Sequence, residues 1–320
     1  MASSPDVAVP DREELRRSAV IIGGSNWISP RMLAPWLSDA DAVEQIRRMS
    51  EIAGLDLIQL GTVAGQDELA SPALFRPLTT ALAVLVGERL LANADPGEIL
   101  VAGHGSGEIA AAVLAGILDL ESGLRLAARV GGTEEAAAQA APGGQVALLG
   151  GYPPDIEERA AGLGLSIAAY NGGGDMVLSG PVPALDALVQ SPPRHTRAER
   201  LPAAGAFSSH LMSAAAADLR STLHDLRIRD ARYRLVSGRD GSMSTDGSSY
   251  LEGLAYQLTG SVRWDLIMDS IAGFGVRTTL ELPPAGALSG LVVRGLPTVS
   301  AVAVNTPEVL AQEAAHLDRG

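Results

Sequence analysis

Val101-Ala102-Gly103-His104-Gly105-Ser106-Gly107-Glu108-Ile109-Ala110 runs from a short apolar stretch through alternating glycines into an alanine-rich segment. Its first part belongs to Glu98-Ile99-Leu100-Val101-Ala102, an apolar run closed by Gly103, which predicts a buried strand. The residues after Gly107 have the composition of a helix. A strand that turns sharply into a helix lifts one side chain above the sheet edge, beside the free backbone N–H groups of the helix N-terminus. The pattern of such an elbow is G-x-S-x-G, in which small residues two before and two after the Ser permit the turn. Here Gly103 and Gly107 bracket Gly105, not Ser106.

Reading outward, Ala19 to Ile22 is a second apolar run, closed by Gly23-Gly24, and predicts another buried strand. Asp41 to Met49 and Leu78 to Leu91 carry apolar residues three to four apart and predict helices. From about Gln145 to Pro202 the pattern changes. Val146 to Leu149, Ser166 to Tyr170, Met176 to Ser179 and a last stretch near Glu199 to Pro202 read as strands, with helices over Pro154 to Gly162 and Val182 to Val189. The order βαββαβ is the ferredoxin-like arrangement. Tyr233 to Ser237 and Thr278 to Leu282 then read as strands and Ser248 to Gly273 as one long helical stretch. The expected fold is α/β: a large domain on a parallel sheet, residues 19–140 and 204–320, a ferredoxin-like small insert, residues 141–203, and a flexible tail, residues 1–18.

Composition narrows the chemistry. With 320 residues and 47% hydrophobic content the chain can bury a large core. There is no cysteine, which excludes thiolate nucleophiles and disulfides, and all 24 basic residues are arginine, which excludes lysine Schiff bases. A net charge of −13 and 3% aromatic residues argue against a nucleic-acid partner. The most apolar stretch, Leu78 to Ala92, is interrupted by Glu88 and Arg89 and is too short to span a membrane. Residues 1–18 show neither a basic n-region nor an apolar h-region, so a cytoplasmic location is expected. No metal site is read.

Gly103-His104-Gly105-Ser106-Gly107-Glu108, followed by an Ala-rich helix, resembles the G-H-S-x-G-E segment of the malonyl-CoA:acyl carrier protein transacylases, with Gly in the nucleophile's place. The resemblance extends along most of the chain. Asn171 to Gly180 is similar to that family's N-x-x-x-x-V-x-S-G strand, and Gly205-Ala206-Phe207-Ser208-Ser209-His210-Leu211-Met212 to its G-A-F-H-S/T-x-x-M segment. Gln257-Leu258 with Val262-Arg263-Trp264 resembles Q-L-x-x-P-V-R-W. Leu280-Glu281 with Pro284 and Leu288 to Leu291 resembles the family's C-terminal run.

The resemblance implies a transacylase-type, α/β-hydrolase-like large domain and a ping-pong reaction. In it a Ser activated by a His takes an acyl group from coenzyme A and passes it to a carrier-protein thiol, while backbone N–H groups hold the oxyanion. It also shows where this chain departs. The nucleophile's position is Gly105 and the catalytic histidine's is Ser208, whose hydroxyl cannot serve as a base near neutral pH. Val130 replaces the arginine that clamps the malonyl carboxylate, and the adjacent Arg129 is turned about 100° away on a helix. The family's N-terminal oxyanion loop appears as Gly24-Ser25-Asn26-Trp27-Ile28, where Trp27 would fill space that substrate needs. Arg76-Pro77 stands in place of Gln-Pro, a new cation near the old site.

The resulting expectation is an acyltransferase-like protein of fatty-acid or polyketide biosynthesis without ordinary transfer chemistry. It needs no cofactor, binds an acyl carrier protein, a ketosynthase or a coenzyme A or phosphopantetheine thioester, and uses Ser25, Asn26, Arg76, His104, Val130 and Asn171 around the ligand. The rival expectation is an active acyltransferase or acyl-thioester hydrolase for a non-malonyl group, using Ser106 or Ser208 with His210. Asn171 reads equally as a turn residue and as a clamp on the segment around Ser208. His104 reads as packing beside the elbow. Arg76 either binds an anion or pairs with an acid, and Arg194, Arg197 and Arg200 either face solvent or meet an acidic carrier protein.

Overall fold

The computed structural model describes residues 17–24 and 28–318; the tail before Arg17 and the loop residues Ser25, Asn26 and Trp27 lie outside the described residues. In chain order the strands are β1 (Ser18–Ile22), β2 (Ile99–Gly103), β3 (Gly143–Leu149), β4 (Ser166–Gly172), β5 (Asp175–Pro181), β6 (Arg197–Arg200), β7 (Arg234–Val236), β8 (Met243–Ser244), β9 (Val262–Arg263), β10 (Thr278–Leu282) and β11 (Ser300–Ala303).

The larger sheet has the order β11-β10-β1-β2-β7-β8 and is parallel except for the antiparallel edge strand β8. Its central strands are apolar without alternation because both faces are covered. Val20, Ile22, Ile99 and Val101 point into the main core with helices Pro72–Leu90, Gly107–Leu114 and Leu120–Ala140. Ala19, Ile21, Leu100 and Ala102 point the other way, onto Trp264, Ile267 and Ile271 of helix Trp264–Gly273 and Leu288 and Val292 of helix Ala287–Gly295.

The small sheet has the order β6-β3-β5-β4, all neighbours antiparallel, with helices Pro153–Leu163 and Val182–Gln190 against Val146, Leu148 and Leu178. Order and direction are those of the ferredoxin-like insert. The insert is not sealed off, since β9, from the later part of the chain, adds in parallel to β4. This seam places the elbow beneath the small sheet.

Two expectations are corrected. Ser248 to Gly273 is not one helix but two, Gly247–Gln257 and Trp264–Gly273. The N–H groups of Thr259 and Gly260 both turn back to the Tyr256 carbonyl, and Ser261 Oγ donates to the Ile167 carbonyl at 2.6 Å, hooking the chain onto β4. The last insert strand is Arg197–Arg200, not Glu199 to Pro202: Pro202 has no N–H to give, and the ladder ends with the Leu201 N–H on the Gln145 carbonyl. No helix among the described residues is long and apolar enough to cross a membrane.

Candidate functional site

At the end of β2 the chain makes the sharp turn that its glycines foretell. A Cβ at Gly107 would lie 2.3 Å from the Ile22 carbonyl oxygen, and one at Gly103 would lie 2.5 Å from Glu108 Cα, so neither bracket admits a side chain. The His104 N–H donates to the Ile22 carbonyl at 2.9 Å, and the Gly107 and Glu108 N–H groups close the turn on the His104 and Gly105 carbonyls at 3.1 and 3.2 Å. The apex, Gly105, has φ +56°, in the left-handed region where a side chain is strained. Yet a Cβ built there meets nothing within 4 Å. The apex is open, and what it lacks is a side chain.

Above the turn lies a narrow cleft of about 60 Å³ between the elbow, the small sheet and the helices at Arg76 and Val130. Val130, Ala168, Ala169, Val177 and Val262 give it apolar walls, and His104, Gly105, Ser106, Ser208 and Gln257 stand around its base. Ser208 is also left-handed, with φ +54°. Its loop is held on both sides, Gln145 Nε2 donating to the Phe207 carbonyl at 3.1 Å and Ser209 Oγ to the Ala206 carbonyl at 2.6 Å. Phe207 meets Phe75 edge-on, ring centres 6.5 Å apart.

Arg76 and Glu134 face each other across helices Pro72–Leu90 and Leu120–Ala140, which approach closely because Gly131 presents no side chain to the Pro72 carbonyl. Arg76 Nε donates to Glu134 Oε2, and Nη2 donates to Oε1 at 2.6 Å, a forked pair with both residues buried.

Sequence and fold comparisons agree on what this arrangement is. Residues 72–310 match the model of the acyl transferase domain. The chain is 35% identical over 294 residues to the malonyl CoA-acyl carrier protein transacylase of Mycobacterium tuberculosis, covering 90% of this chain and 96% of that protein. It superposes on the crystal structure of the Mycobacterium tuberculosis enzyme with a TM-score of 0.88 at 34% identity, covering 93% of this chain and 100% of that one. A malonyl-transacylase solved in complex with a type II polyketide synthase acyl-carrier protein gives a TM-score of 0.84 at 26% identity, covering 93% and 99%.

The chain belongs to the acyl transferase family.

Against that family's pattern the residues singled out in the sequence fall as follows. Val130 is buried and lines the cleft, while Arg129 faces outward and forks onto Asp218 at 2.7 and 2.8 Å. Arg76 pairs with an acid, Glu134, through Nε and Nη2. Asn171 neither lines the cleft nor holds the Ser208 loop: its Oδ1 accepts from His104 Nε2 at 3.4 Å. It precedes three left-handed glycines that turn β4 into β5. His104 packs on Trp264, ring centres 5.7 Å apart, and burial holds its imidazole below the usual histidine range. Ser25 and Asn26 lie outside the described residues, as does Trp27.

The substitute pair is corrected by the structure. Ser106 Oγ is shut off from solvent and has no hydrogen-bond partner among the described residues, and it does not cap the helix that follows. His210 is exposed, on the short turn His210–Met212, and does not line the cleft. The arginine cluster is largely answered by acids, Arg197 by Glu199 at 2.5 Å and Arg200 by Asp186.

Glu134 went unread in the sequence, where it is an acid on an alanine-rich helix. The signal was there: it sits four residues after Val130 and so on the same face.

Glu108 lies buried behind the elbow, accepting from Gln257 Nε2 at 2.5 Å and from the Gly238 N–H, and burial pushes its carboxyl up to about 8. A carboxyl raised in the folded state binds a proton that the unfolded chain has already released. Its contribution to stability is therefore full at acid pH and is lost as pH rises toward 8, by about 1 kcal/mol per pH unit across that window. Glu108→Gln keeps an acceptor for Gln257 and cannot ionise. Urea denaturation at pH 5.5 and 7.5 is expected to show the variant losing less stability than the native chain between the two.

Proposed function

We propose that this acyl transferase-family chain works in fatty-acid or polyketide biosynthesis by binding, not by turnover. Its ligand is an acyl carrier protein or the coenzyme A or phosphopantetheine thioester such a carrier presents. One observation carries the reading: the elbow is built as in an acyl transferase, down to its bracketing glycines and open apex, and Gly105 gives that apex no nucleophile. An acyl transfer through the protein needs an oxygen or sulfur to attack the thioester carbonyl and a base to take its proton. Gly105 supplies neither atom, the Ser208 hydroxyl is no base, and Ser106 Oγ is hydrogen-bonded to no histidine among the described residues. Loss of members of such a unit costs about a millionfold in turnover.

Support for the partner comes from the relatives. Those described above are transacylases acting with an acyl carrier protein, and one was solved bound to it. The test is a titration of the full chain with acyl carrier protein, run beside an assay of malonyl transfer from coenzyme A to that carrier, with a ketosynthase titrated in parallel. Saturable carrier binding with transfer no faster than a protein-free blank is expected. Transfer at an enzyme-like rate overturns the reading, and binding of the ketosynthase alone moves the partner.

A further inference from the structure

Every charge inside the cleft is already answered. Among the described residues Arg76 is the arginine that lines it, and the Nε–Nη2 edge of its guanidinium is spent on Glu134. His104, the other basic side chain at the wall, is held toward its neutral form by burial. Glu108, behind Gln257, has its carboxyl pushed up to about 8 and so carries little charge at neutral pH. Around the closed ion pair the walls are apolar, with Val130, Ala168, Ala169, Val177 and Val262.

Resting on the reading that the cleft holds an acyl thioester, we propose that Glu134 sets its selectivity: by occupying Arg76, it excludes acyl groups that end in a carboxylate and reserves the cleft for uncharged ones. A carboxylate entering here gives up its water, finds the fork of Arg76 taken, and meets the like charge of Glu134. An uncharged acyl chain surrenders no hydration and gains burial against the apolar walls. The cation is present in the cleft. Its availability, not its presence, decides what binds.

Calorimetric titration of the full chain with butyryl-CoA, malonyl-CoA and coenzyme A tests this. Butyryl-CoA is expected to bind the native chain at least about tenfold more tightly than malonyl-CoA, the scale of one charge-assisted hydrogen bond. In Glu134→Gln, with folding confirmed by a thermal melt, the malonyl-to-butyryl affinity ratio rises by about tenfold as Arg76 is released. The charge-free double variant Arg76→Gln, Glu134→Gln returns the ratio toward the native value. Malonyl-CoA binding the native chain as tightly as butyryl-CoA overturns the inference, whether or not the variants fold, and so does a folded Glu134→Gln chain with an unchanged ratio. Neither acyl-CoA binding better than coenzyme A overturns the inference and the thioester reading with it, whereas equal binding of the two leaves that reading standing.

Discussion

The double variant Gly105→Ser, Ser208→His is expected to take up an acyl group from propionyl-CoA at least about a hundredfold faster than the native chain. This is a cautious fraction of the millionfold that a catalytic unit of this kind controls. The backbone is ready for both replacements. A Cβ at Gly105 meets nothing within 4 Å, and its φ of +56° is the strained apex geometry of an elbow nucleophile. Ser208 already holds a side chain at φ +54°, a region where histidine is among the better-tolerated residues. Both positions line one cleft. Propionyl-CoA is the donor of choice because Val130 remains and Arg76 remains paired. Either single substitution leaves a nucleophile without a base or a base without a nucleophile, and is expected to stay near the native rate. Intact-protein mass spectrometry reads the adduct directly. A folded double variant that gains none contradicts the assignment of these two positions.

Arg76→Met is expected to cost about 3–5 kcal/mol of folding stability, the usual penalty for stripping the partner from a buried charge. Glu134 would then be left in a nearly solvent-free site with its carboxylate unanswered. Adding Glu134→Leu should recover most of that loss, since an apolar pair of similar volume replaces the ion pair without a desolvation cost. Urea denaturation of the two variants beside the native chain measures this. A single variant within about 1 kcal/mol of native would mean that the pair is more hydrated than the structure shows.

How far the sequence reaches is visible element by element. The run Ala19 to Ile22 was legible because a parallel strand covered on both faces must be apolar at every position. The elbow was legible because its glycines are forced by backbone contacts, which leave no alternative residue at Gly103 and Gly107. The break at Gly260 was not, since apolar spacing continues across it and the turn is fixed by a distant hydrogen bond to β4. Strands β8 and β11 escaped notice because they are short and only partly buried, so neither shows a clear alternation. At the site, identity was readable and proximity was not. Arg76 finds its partner 58 residues away, and the two-residue spacing from Ser208 to His210 says nothing of the latter's outward direction.

The most direct test of the account is intact-protein mass spectrometry of the native chain after incubation with malonyl-, acetyl- and propionyl-CoA, beside a Ser106→Ala control. The predicted result is an unmodified mass with every donor. An acyl adduct on the native chain that vanishes in the control would contradict it and establish Ser106 as a working nucleophile.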